Sequence, residues 1–238
     1  MALPLYLAMT AAEIQENSSI PTPLAYMACH FSPYGTGLSN FPRFLPKESL
    51  LILNDRTPIH GHDWEQIREE LESIVETHQC SGILLDFQRP GFDELRNLAK
   101  LLTGSFPCPV AVSEPYAQGL PCPVFLPPVP HNVPVSEYLL PWDGREIWLE
   151  AALDAIEITI TPLGYKAAPG YPHQNGTIFP QDALHCHYHV TVEPDQAVFS
   201  LFRTREDLDD LLAEAEALGV TRAIGLWQEL FPQQRTPA

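Results

Sequence analysis

Ser81-Gly-Ile-Leu-Leu-Asp-Phe-Gln88 is an unbroken apolar run that ends in a carboxylate and an amide. Such a run, with no polar alternation, is the pattern of a strand buried on both faces, and such strands belong to parallel sheets covered by helices. Working outward, 50–54 (LLILN) has the same character. Between the two, Asp63 is placed to cap a helix through about residue 78, with Trp64, Ile67, Leu71, Ile74 and Val75 on one face. A second helix over about 92–102 follows, and then strand-like runs at 109–113 (PVAVS), 123–126 (PVFL) and 146–150 (EIWLE). Upstream lie 5–9 (LYLAM) and 24–30 (LAYMACH). Downstream, an amphipathic helix over 205–218 leads into 223–230 (AIGLWQEL). Eight buried strands, several separated by helices, predict an α/β fold of the (β/α)8 TIM type.

The barrel is expected to be irregular. The connections from strand five to six and from six to seven hold too few helix formers for regular crossovers. Between strands seven and eight, about 155–203 reads as a β-rich insertion. There 155–161 and 185–192 alternate with period two, and 197–203 is expected to pair with the latter across Glu193-Pro-Asp195. Thr10-Ala-Ala-Glu13 has the spacing of a capping box behind the first strand. The whole of 1–238 is expected to form one barrel domain carrying that insertion.

Thirteen basic residues against 30 acidic ones give a net charge of −17. A field of that sign repels phosphate backbones and anionic membranes, so nucleic acid and membrane surfaces are poor partners and a neutral or cationic substrate is the better one, a carbohydrate or other neutral polar small molecule being the expected class. The five cysteines are scattered and form no C-x-x-C, as expected of free thiols in a reducing cytoplasm. The apolar N-terminus is short and has no basic residue before it, so it reads as a first strand rather than a secretory signal.

In a parallel barrel the chemistry gathers at the C-terminal ends of the strands. Those ends carry Asp55, Asp86, Gln88, Glu114, Glu150 and Trp227. Asp86, Glu114 and Glu150 are the catalytic candidates, three carboxylates on three strands that converge if the barrel closes. Asp86, Gln88, Asp55, Trp227 and, after strand two, Tyr34 are the ligand-binding candidates. Two histidine clusters, His60-Gly-His62 and His185-Cys-His-Tyr-His189, contain H-x-H pairs of the kind that binds zinc on a strand. The first sits in a loop and the second in the insertion, so no metal or other cofactor is expected, and a metal-dependent hydrolase is the lowest reading.

The run 81–88 resembles the strand-four signature of family 18 glycoside hydrolases, the chitinase-like enzymes, which reads Asp-Gly-x-Asp-x-Asp-x-Glu. The stretch 185–230, ending in a Gly-x-Trp strand, looks like the closing part of the family's spore-cortex hydrolase branch. The likeness covers roughly 50–120 and 185–231. It implies that Asp86 stands where the family orients the substrate's N-acetyl group and that Trp227 floors a sugar subsite. It also implies a loss: the glutamic acid that protonates the leaving group is replaced by Gln88, the middle aspartate by Leu84 and the first by Ser81. The family's strand-six Tyr-Asp is absent, the run reading Val124-Phe-Leu-Pro-Pro128. An amide has no ionisable proton to give, and general acid catalysis is worth about 10²–10⁴-fold. The resemblance therefore implies a glycosidase-like barrel that binds carbohydrate or a partner without the family's acid. The alternative is an active glycoside hydrolase with Glu114 and Glu150 as its carboxylate pair.

Overall fold

Eight parallel strands close into a barrel in the computed structural model, which describes residues 3–17, 20–172 and 177–231. In chain order they are Leu5–Met9, Leu24–Tyr26, Leu50–Asn54, Gly82–Asp86, Val110–Ser113, Val124–Leu126, Ile147–Ala151 and Val220–Leu226. The first pairs with the eighth and the second, and the second pairs with the third to shut the ring. Strand three lies in register with strand four from Leu50↔Gly82 to Asn54↔Asp86, so both present a polar residue at the same level of the rim.

Side chains alternate across each strand, and here both faces are apolar. Tyr6, Ala8, Ala25, Leu50, Ile52, Leu84, Ala111, Phe125, Trp148 and Ile224 fill the interior. Three alanines among the rings and branched chains let the layers interdigitate. At the N-terminal end the Arg222 guanidinium lies 4.4 Å from the Trp148 ring centroid and donates to the Ser81 carbonyl at 3.3 Å. Trp148 Nε1 in turn donates to Glu146 at 3.0 Å. Gly82 is required beside this plug, since a Cβ there would stand 3.0 Å from the Trp148 ring and from the Pro109 carbonyl. The barrel is thus floored, and only its C-terminal end is open to chemistry.

The outward faces pack under helices Trp64–His78, Asp93–Ser105 and Arg205–Ala217, which bury leucine, isoleucine, valine and alanine stripes such as Leu208, Leu211, Leu212 and Ala215. Asp63 accepts from the amides of Glu65 and Gln66, Thr204 forms a capping box with Asp207, and Thr10 forms another with Glu13. The irregular crossovers are visible too. Only Glu114–Ala117 follows strand five, and Val135–Leu139 follows strand six. The expected run 24–30 divides: the barrel strand stops at Tyr26, and His30–Phe31 pairs with Leu38–Ser39 in a hairpin at the rim. Among the described residues no helix is long and apolar enough to cross a membrane.

Between strands seven and eight stands a five-stranded antiparallel sheet, ordered Gly164–Pro169, Ala155–Thr161, Gln196–Phe202, Cys186–Glu193, Phe179–Gln181. The three central strands match the sequence expectation; the two edge strands are additional. Register sets Ile156, Ile158 and Ile160 beside Leu201, Phe199 and Ala197, and these beside Tyr188, Val190 and Val192, so one face is apolar. The other face meets helix Arg205–Ala217 through His187, whose Nδ1 lies 2.7 Å from Asp207 Oδ2. His185 Nε2 lies 2.6 Å from Glu214 Oε2.

Candidate functional site at the barrel mouth

Inward parity continues past the core to the rim. Asn54, Asp86, Gln88, Glu150 and Leu226 follow Ile52, Leu84, Trp148 and Ile224 on the same faces and line a cavity of about 330 Å³, with Met27 and Arg56 beside them. A smaller cleft of about 110 Å³ joins it, lined by Gln88, Ser113, Glu114, Phe125, Pro127 and Glu150. Glu150 borders both. Asp86 and Glu114, from separate strands, therefore line neighbouring cavities that share Gln88, Phe125 and Glu150.

Their electrostatics differ. Burial, and then the Asp86, Glu229 and Asp154 carboxylates, push Glu150 up to about 7, where it holds a proton for about half the time at neutral pH. Burial also raises Asp86, against the opposing effect of Gln88, whose Nε2 donates to Asp86 Oδ1 at 2.6 Å. The Tyr138 phenol donates at 2.9 Å to the carbonyl of Pro127, a residue of the smaller cleft. Burial and the charges of Glu114 and Glu150 raise it well above the usual phenol range. Glu229, which sequence reasoning passed over, accepts from the Leu153 amide and is raised by burial. It lies two residues beyond Trp227, on the same face of a segment read as strand, where only the tryptophan was singled out.

Three expected ligand contacts lie elsewhere. Asp55 is buried and fully engaged. Its carboxylate accepts from the amides of Gln88 at 3.1 Å and Arg89 at 2.9 Å, and from Arg89 Nε at 3.2 Å. It staples the loop after strand four to the end of strand three, and so positions Gln88 rather than touching a ligand. Tyr34, 99% exposed, stands in solvent on the hairpin loop and lines neither cavity. Trp227, 9% exposed, belongs to the outer packing layer and stacks on Phe231 with centroids 4.7 Å apart. The physical reason is parity: a one-residue step along a strand exchanges faces. Ile224 points inward, so Leu226 reaches the mouth, and Trp227 begins a short helix, Trp227–Leu230, facing outward. Counting in twos from Ile224 would have found Leu226.

The histidine clusters spread out rather than converge. His60 lies 3.3 Å from Glu94, and the insertion histidines go to Glu214 and Asp207 as above. Among the described residues no group of three or more His, Cys, Asp or Glu is placed to hold a metal ion.

No family model matches the sequence, and no curated protein is significantly similar to it. Solved structures are similar in fold. The spore cortex-lytic enzyme SleL from Bacillus cereus superposes with a TM-score of 0.55 at 10% identity, over 94% of this chain and 70% of its own. A family 18 chitinase from Cycas revoluta, solved in complex with (GlcNAc)3, gives 0.56 at 11% identity over 95% and 94%. The multi-modular chitinase ChiW from a Paenibacillus species gives 0.60 at 9% identity over 97% of this chain and 42% of its own. With its closed parallel barrel and its β-rich insertion before the last strand, the chain has the fold of the chitinase-like family 18 barrels.

Proposed function

We propose that this barrel binds a carbohydrate in its mouth without the strand-four acid chemistry of the enzymes it resembles. The observation that carries the reading is the 2.6 Å bond from the Gln88 amide to Asp86, inside a cavity whose other polar groups are Asn54, Arg56 and Glu150. Paired acceptors and donors of this kind fit hydroxyl and acetamido groups, and the apolar floor fits the face of a sugar ring. The resemblance to chitinases, one of them crystallised with an N-acetylglucosamine oligomer, makes that sugar the first to test. Titration of N-acetylglucosamine oligomers by calorimetry or NMR line broadening should show binding without turnover. Gln88→Glu alone should not create turnover, because the new acid would lack the aspartate that Leu84 replaces. Absence of binding across a broad glycan panel would sink the reading.

One observation favours a second reading, an active hydrolase. Glu150, at about 7, and Glu114 border one cleft, which is the arrangement of an acid and a second carboxylate with separated roles. Hydrolysis by the natural protein that disappears in Glu114→Gln and Glu150→Gln, with an apparent pKa near 7 in its pH profile, would establish it.

A further inference from the structure

A second concavity lies beside the mouth, and its chemistry is of another kind. It encloses about 660 Å³, twice the volume of the mouth cavity, between the stretch 128–132 that follows strand six and the apolar face of the insertion sheet. Ile156, Ile158, Leu201 and Tyr165 form one wall, and Pro128 and Pro130 form the other. Five of the six are aliphatic, and Tyr165 adds a ring that carries one hydroxyl.

The base is polar and built from buried parts. Asp154, half-exposed, accepts from Arg203 Nη1 at 3.3 Å, and His131 Nε2 lies 3.6 Å from the same oxygen. Arg203 is only 3% exposed and His131 4%. Arg203 Nε donates to the His185 carbonyl, while Arg203 Nη2 and His131 Nε2 have no hydrogen-bond partner. Taking a guanidinium and an imidazole out of water is costly, and here both sit behind one carboxylate. Their effect is to fix Asp154 at the end of the groove with one oxygen left for a donor from outside. The groove shares no lining residue with the mouth but lies next to it in the chain and in its charges. Pro127 borders the cleft of Glu114 and Glu150, Pro128 borders the groove, and the Asp154 charge acts on Glu150.

We infer that this groove is a second binding compartment, which takes the alkyl or aryl part of an uncharged amphiphile and seats a hydroxyl donor of that ligand on Asp154. Taken with the neighbouring mouth, it makes the ligand class a glycoside with an apolar aglycone; that joint statement rests on the carbohydrate reading of the mouth, whereas the groove's own chemistry does not. The half-exposed Asp154 carboxylate at the end of the groove disfavours an anionic amphiphile. Aliphatic walls and a volume in the usual ligand-pocket range suit a chain of several methylenes or a single ring.

The test uses the full chain with ¹³C-labelled isoleucine and leucine methyls, and three probes: methyl N-acetylglucosaminide, hexyl N-acetylglucosaminide and 1-hexanol. The hexyl glycoside should shift the methyls of Ile156, Ile158 and Leu201 and bind at least about tenfold tighter than the methyl glycoside, a small part of what five buried methylenes can supply. Ile158→Glu should remove that advantage and leave methyl glycoside affinity unchanged. Tyr165→Asp, at an exposed edge strand, should reduce it severalfold without risk to the fold. Equal affinity for the two glycosides, or hexyl probes that leave the three methyls unmoved, would overturn the inference while leaving the mouth as a sugar site. If neither glycoside binds but 1-hexanol still shifts those methyls, the groove stands and the carbohydrate reading of the mouth falls.

Discussion

The barrel and the insertion sheet use strands of similar length to opposite ends. Barrel strands such as Leu50–Asn54 and Gly82–Asp86 are buried along nearly their whole length. The insertion strands Ala155–Thr161 and Gly164–Pro169 are half-buried or exposed throughout. The first arrangement concentrates apolar burial in one closed wall and leaves polarity only at the rim. The second spreads a thin apolar face beside that rim. Stability is therefore expected to reside in the barrel, and adaptable surface in the insertion. The largest expected effect that tests this contrast is Trp148→Ala. The ring is fully buried, holds Arg222 and fills the space that Gly82 leaves. Its loss should cost about 3–5 kcal/mol in urea denaturation. A cost under 1 kcal/mol would mean that the barrel interior is not the seat of stability.

The same contrast explains what could be read in advance. All eight barrel strands were legible because burial on both faces makes most of each an apolar run, though the second stops at Tyr26 and the eighth begins at Val220, where Thr221 and Arg222 interrupt the pattern. In the insertion, 155–161 was legible because its isoleucines alternate with Glu157 and Thr159. Gly164–Pro169 was not, since its residues GYKAAP carry no alternation and its pairing with Ala155–Thr161 is a tertiary fact. At the site, Asp86, Gln88, Glu114 and Glu150 followed from their places at strand ends. Trp227 was misplaced because the end of the last strand is set by where pairing with strands one and seven stops, and no residue type marks that point. Asp55 was misread for a similar reason: whether a rim carboxylate faces ligand or backbone amides depends on the loop opposite, here 88–89.

Titration separates the two regions with opposite signs. Glu150 in the mouth is raised from 4.5 to about 7, so the folded chain binds that proton more tightly than the unfolded chain does. Stability should then fall as pH rises from about 4.5 to about 7 and stay at the lower level above. Glu150→Gln should accordingly stabilise the protein at pH 8 by about 1–3 kcal/mol and have little effect at pH 4, read from denaturation midpoints. Where the insertion meets its helix the order reverses. Burial pushes Asp207 up, but bonds from Thr204 and His187 outweigh it, and the carboxylate ends below its usual value. That contribution is present above the unfolded pKa and lost as pH falls through the folded one. Thr204→Ala, which removes the cap, should cost about 0.5–2 kcal/mol at pH 7 and less in acid. A pH-independent loss would mean that the cap acts without Asp207.

The smallest effect should come from the tip of the insertion. Leu163, 99% exposed, sits in the turn between Ala155–Thr161 and Gly164–Pro169, where Thr161 Oγ1 accepts from its amide at 3.3 Å. The side chain contributes no burial, so nothing is lost when it is shortened, and the backbone bond survives any substitution other than proline. Leu163→Ser should therefore stay within about 0.5 kcal/mol of the natural protein. It should also leave binding to the mouth and the groove unchanged, because Leu163 lines neither. A loss comparable to that of Trp148→Ala would show that the insertion's apolar surface is covered in solution. In that case the exposed face would belong to an interface, and the contrast between a stabilising barrel and a free-standing sheet would fail.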